Sequence, residues 1–219
     1  MSDYRVFFGA ADVYIRRMIK RILAMIGFAC LAAASPIGSA QAHPHVWIDN
    51  RVTVEFEGGR VVALSMEWRF DTLFSAILLT DFDLDEDMQL DSMEADFMRR
   101  NAFIAIGDFS YFTHVKVDGV LVKWDEPMDF QGVVEGRAVV YRFRLPLPEP
   151  VDPNSQLLTI ATYDRSFFVD VTLQKAEPVV LSGKGAASCH HQIVAKPDDS
   201  PNLWGVFTPP RIDITCQTS

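Results

Sequence analysis

From Val46 onward the chain alternates apolar and polar residues. In VWIDNRVTVEFEGGRVVALSMEWRF, Val52, Val54 and Phe56 fall on one face before Gly58-Gly59, and Val62, Leu64, Met66, Trp68 and Phe70 share a face after it. A period of two on both sides of a Gly-Gly pair predicts a β-hairpin with one buried side. The period then lengthens. DTLFSAILLTDF has helical spacing and SMEADFMRRNAFIAI continues as a second helix beyond an acidic gap, so a helical insertion is expected over about residues 71–106. Alternation returns in YFTHVKVDGVLVKW, where Asp118-Gly119 signals a tight turn and His114, beside Val115 and Val117, is expected on the solvent face. GRAVVYRFRLPLPEP is a further strand ending in a proline-rich turn, and QLLTIATYD and SFFVDVTLQ are expected to pair. Strands, then helices, then strands predict an α+β fold, mainly antiparallel β and sandwich-like, carrying an inserted EF-hand-like helix pair.

The segment before Val46 has another character. Arg16, Arg17, Lys20 and Arg21 precede the apolar run ILAMIGFACLAAA, and the small-x-small end Ala40-Gln41-Ala42 follows. That order predicts an export signal over residues 1–42, cleaved after Ala42; the apolar run, followed by Pro36, is short of the ~20 residues a membrane span needs. The basic leader is long, and Met18 offers an alternative start, which leaves residues 1–17 without an assigned fold. A single periplasmic domain over residues 43–219 is expected, with no membrane insertion after cleavage. Loss of five basic and two acidic residues takes the formal charge from −9 to −12, which argues against nucleic acid as a partner. Of three cysteines, Cys30 lies in the signal. Cys189 and Cys216 are expected to form a disulfide, because an exported pair without C-x-x-C spacing fits neither zinc nor redox chemistry.

Between the helices, DLDEDMQLDSME over residues 83–94 fits the twelve-residue calcium loop of an EF-hand. Asp83, Asp85 and Asp87 take positions one, three and five, Gln89 offers its carbonyl at seven, Asp91 stands at nine and Glu94 at twelve. The sixth position calls for glycine, since the chain turns there with positive φ. Met88 occupies it, at a cost of roughly 1–2 kcal/mol if the loop keeps its shape. Calcium is thus one candidate cofactor, and a helix connector without an ion is the alternative.

Cleavage after Ala42 makes His43 the first residue, with a free α-amine beside its imidazole and His45 two positions on. Three nitrogens within three residues suit zinc, copper, nickel or cobalt. Pro44 has no amide hydrogen to lose, so the square-planar mode that recruits deprotonated backbone nitrogens is closed. A distant side chain must complete the shell, with Asp164 preferred over His114. Asp71 and Asp164 each end a strand, where capping or turn formation is the competing use. His190 and His191 are neighbours, so on a strand they face opposite ways.

HPHVWID, EWRFD leading into LFSAILL, DLDEDMQLDSME, SYFTHVKVDG, TYDRSFFVDV and PPRIDITC together resemble a family of periplasmic proteins of unknown function, often labelled periplasmic components of an ABC-type transport system. The resemblance spans residues 43–216. Its members accompany permeases of the nickel/cobalt type and include a relative of a zinc-uptake protein. It therefore implies delivery of zinc, or nickel or cobalt, to an inner-membrane permease, and not catalysis. His43 and His45 match the family's HPH motif, and Asp71 and Asp164 match its FD and YD motifs. Met88 and Thr72 depart from it, where glycine and an acidic residue are usual. Two rivals stand beside this expectation: a copper enzyme that joins the N-terminal chelate to His114 or His190, and a calcium-stiffened interaction module.

Overall fold

In a computed structural model, residues 44–198, 200–203, 205 and 207–217 are described; the expected signal segment and His43 lie outside them. β1 (Val46–Glu57) and β2 (Arg60–Phe70) form the expected hairpin, turning through Gly58 and Gly59 at positive φ. Val46, Ile48, Val52, Val54 and Phe56 are buried along β1, as the period of two requires. On β2 the buried set is Val61 and Ala63, then Leu64, Met66, Trp68 and Phe70. Irregular pairing at Glu55/Phe56 and at Val61/Ala63 shifts the register, so Val62 leaves the face its spacing predicts.

Two helices, α1 (Thr72–Phe82) and α2 (Ser92–Met98), flank the acidic segment, and the second is shorter than its pattern predicts. After Met98 the winding widens into a π turn over Arg99–Phe103 and then tightens into 3-10 turns over Ile104–Phe112. Ser110, Tyr111 and Phe112 have φ of 57°, 47° and 47°, a left-handed run that costs L-residues energy at each step. Tertiary packing offsets that cost. Phe103 lies 4.4 Å from Phe130 and 4.8 Å from Phe143 by ring centroids, and Phe112 stacks on Trp68 at 5.5 Å.

Nine further strands follow among the described residues. β3 (Thr113–Val117) and β4 (Val120–Leu121) meet at the expected Asp118-Gly119 turn, and β5 (Met128–Glu135) pairs with β6 (Ala138–Val151). β6 does not stop at its prolines but continues through Pro146, Pro148 and Pro150. β5 pairs no further than Arg144, so that flank of β6 is free where proline's missing N–H removes no ladder bond. β7 (Leu158–Thr162), β8 (Val169–Leu173) and β9 (Val179–Gly183) come next, then β10 (Cys189–Val194) and β11 (Arg211–Cys216).

The strand order is β5-β6-β2-β1-β8 in one sheet, with β9 also on β1, and β10-β11-β7-β3-β4 in the other. β8 and β9 both run parallel to β1, along residues 46–50 and 52–56, so the first sheet is not wholly antiparallel. β7 and β8, expected to pair, lie in different sheets. Trp68, Met66 and Leu145 from the first sheet join Ile160 and Ile212 from the second in one buried cluster. Cys189 and Cys216 are directly opposed on β10 and β11 and form the expected disulfide. No helix among the described residues is long and apolar enough to cross a membrane.

Candidate functional site

The start of β1 is held from two sides by the two aspartates that end strands. Asp71 caps α1, its Oδ1 accepting from Leu73 N and Phe74 N at 2.9 Å each. Its Oδ2 accepts from Trp47 N at 3.0 Å, while Asp71 N donates to Trp47 O at 3.0 Å. Capping and clamping therefore use the same carboxylate.

Asp164, buried after β7, closes the turn that carries the chain into the other sheet. Ser166 N donates to its Oδ1 at 2.9 Å; Ser166 Oγ (2.5 Å), Phe168 N (3.0 Å) and Val169 N (3.1 Å) donate to its Oδ2. A carboxylate with four donors is anchored as a turn former. That turn presents Phe168, whose carbonyl accepts from His45 N at 2.8 Å and whose ring lies 4.8 Å from the His45 imidazole. His45 and Asp164 thus belong to one neighbourhood, joined through Phe168. The His45 side chain is exposed, while Asp164 is buried with three donors on its Oδ2 and Ser166 N on its Oδ1.

Phe168 also edges an apolar groove of about 530 Å³, lined by Ala105, Ile106, Phe109, Phe112 and Val169 as well. Phe109 and Phe168 remain 53% and 54% exposed. Neither aromatic stood out in the sequence. The adjacent Phe167-Phe168 pair following Asp164 was the available signal, since two neighbours on a strand cannot share a buried face.

The histidines distribute otherwise than expected. His114 is buried, not solvent-facing: its Nε2 lies 3.1 Å from Tyr163 O and its ring stacks on Tyr163 at 4.0 Å. Alternation misassigns it because Ser200 and Pro201 of the irregular stretch border the same hollow and help cover β3. His190 Nε2 lies 2.8 Å from Thr215 Oγ1, and both His190 and His191 sit on exposed β10. Burial holds the His114 imidazole down at about 4, and the Arg165 charge adds to this against the Tyr163 carbonyl and Asp164. The unfolded chain therefore takes up the proton first. Stability is expected to fall as pH drops from about 6.5 to about 4 and to level off below. Urea unfolding across that range should show the slope in the wild type and lose most of it in His114→Phe.

In the acidic segment, carboxylate oxygens of Asp83, Asp85 and Asp87 come within 4.8 Å of one another. Asp83 accepts from Asp87 N (3.1 Å) and Met88 N (2.9 Å), and Asp87 accepts from Gln89 N (2.7 Å). Met88 adopts φ of 65°, the conformation glycine takes without strain. Asp91 caps α2 through Met93 N and Glu94 N, and Glu94 reciprocates to Asp91 N while also accepting from Leu84 N at 2.6 Å. Desolvation and then the charges of Asp87, Glu94 and Asp83 raise the Asp85 pKa, opposed by the Asp87 N–H.

Fold and site define a two-sheet β protein whose first strand is clamped at its start by strand-ending aspartates. The model of a family described as protein of unknown function, DUF1007, matches residues 28–204, and the chain belongs to that family. An uncharacterised 15.5 kDa protein from the trpE 3′ region of Spirochaeta aurantia is 27% identical over 115 residues, 51% of this chain and 81% of the relative. An uncharacterised protein of Haemophilus influenzae is 23% identical over 147 residues, 64% of this chain and 68% of the relative.

Proposed function

We propose that the protein is an exported transition-metal carrier that takes up zinc, or nickel or cobalt, in the periplasm and passes it to an inner-membrane permease of the nickel/cobalt type. The observation that carries this is the exposed His45 imidazole, fixed by its backbone to Phe168 at the start of β1. With cleavage after Ala42, the His43 amine and ring join it. Three nitrogens leave a tetrahedral ion one open position, which suits handover better than permanent storage. Asp164 and Asp71 serve as clamps on this segment instead of ligands. We take zinc as the first choice of cargo, as the resemblance of the HPHVWID run to a metal-uptake family implies. No observation favours the copper-enzyme alternative, since His114 is buried against Tyr163 and His190 is engaged by Thr215.

The test uses mature chain beginning at His43. Zinc is expected to bind more tightly than about 10 μM at pH 7.5, with at least about tenfold weakening in His43→Ala, in His45→Ala and in a chain extended by one residue ahead of His43. Affinity should fall as pH is lowered, because each coordinating nitrogen must give up its proton to the solvent. Failure of zinc, nickel and cobalt to bind, with the variants indistinguishable from wild type, would overturn the proposal.

A second reading concerns the acidic segment. We propose that it holds calcium through Asp83, Asp85, Asp87, the Gln89 carbonyl, Asp91 and Glu94, stiffening the link between α1 and α2. Met88 favours it, because the turn that position six requires is adopted without glycine. Millimolar calcium is expected to raise Tm by several degrees, and Asp85→Asn to remove most of the rise. An identical melting curve in calcium and in chelator would exclude it.

A further inference from the structure

We propose that Phe168 is a positioning residue for the metal-binding histidine, its ring face fixing the His45 imidazole in the orientation that meets the ion. This assignment rests on the transition-metal function proposed above and extends it to a residue with no ligand atom. Three contacts converge on Phe168: its N–H donates to Asp164, its carbonyl accepts from His45 N, and its ring faces the His45 ring at 4.8 Å and a 35° tilt. The backbone is therefore pinned at both polar atoms while the side chain stays 54% exposed. One side of the ring borders the apolar groove with Ile106, Phe109 and Phe112, and the residue as a whole stays half open to solvent beside His45.

The physical effect has two parts. A histidine beside a chain terminus rotates freely about two torsions, and freezing it on metal binding opposes affinity. A ring that already holds it removes part of that cost. Coordination to a cation also makes the imidazole electron-poor, which strengthens its attraction to the negative face of a phenyl ring. Phe168 thus favours the metal-bound form over the free one.

The experiment titrates zinc into mature wild-type chain, Phe168→Leu and Phe168→Tyr, and records the His45 ring protons by NMR. Phe168→Leu is expected to bind zinc about three- to tenfold more weakly with an unchanged Tm, and Phe168→Tyr to stay within about twofold of wild type. His45 ring-proton signals should be shifted upfield in wild type and Phe168→Tyr and return to free-histidine values in Phe168→Leu. Unshifted signals in wild type overturn the assignment. So does wild-type zinc affinity in Phe168→Leu when His45→Ala has lost it. A wild-type chain that binds no zinc instead sinks the carrier function and removes the basis of this assignment.

Discussion

Asp164→Ala is expected to cost about 3 kcal/mol of stability, a fall of roughly 6–12 °C in Tm for a domain of this size. The substitution strips the acceptor from Ser166 N, Ser166 Oγ, Phe168 N and Val169 N together. Charge-assisted bonds from backbone donors are each worth more than neutral ones, and water replaces only those whose residues are exposed. Asp164→Asn is the informative companion. Its amide keeps one acceptor but sets an N–H₂ group against donors, so it should recover less than half of the loss. Both variants should also weaken zinc binding, because the Phe168 platform moves with the turn. Thermal and urea unfolding measure the first effect and titration of zinc the second. A Tm within about 1 °C of wild type in Asp164→Ala would show that water satisfies the turn and that the carboxylate is no anchor.

Loss of the disulfide is the other large effect. Cys189 and Cys216 close a segment with a sequence separation of 27 residues. Restoring that chain's freedom in the unfolded state should cost roughly 3–4 kcal/mol, or about 7–14 °C in Tm. The segment includes the stretch 195–210, where the described residues form a Ser200 N to Pro197 O bond and an isolated Leu203–Phe207 bridge. The double variant Cys189→Ser/Cys216→Ser should melt like reduced wild type and be insensitive to reductant. Calorimetry with and without reductant separates these outcomes, and equal Tm values for oxidised and reduced wild type would refute the expectation.

How far the sequence reaches depends on the range of the interaction. The β1–β2 hairpin, the Asp118-Gly119 turn, the Asp71 cap and the helices around the acidic segment were all legible, because each is decided within a few residues by backbone geometry and side-chain-to-backbone bonds. β5 and β9 were not. β5 is largely exposed and carries no clean alternation, and β9 acquires its strand character from the edge of β1 beside it. The bulges that displace Val62 and the proline-bearing end of β6 likewise depend on which edges are paired.

The candidate site shows the same division. His45 could be singled out by type and place and Asp164 expected near it, but the Phe168 link that joins them could not. That Asp164 accepts from four donors of its own turn follows from the chain crossing between sheets after β7. By itself the sequence determined the period of each element, the caps, the turns, the cysteine pair and the set of chemically capable residues, since these are properties of near neighbours. Only the tertiary structure decided that β7 and β8 part company, that His114 is covered, and that Phe168 stands between Asp164 and His45. Those outcomes rest on contacts between segments far apart in the chain, whose formation must overcome loop-closure entropy and satisfy both surfaces at once.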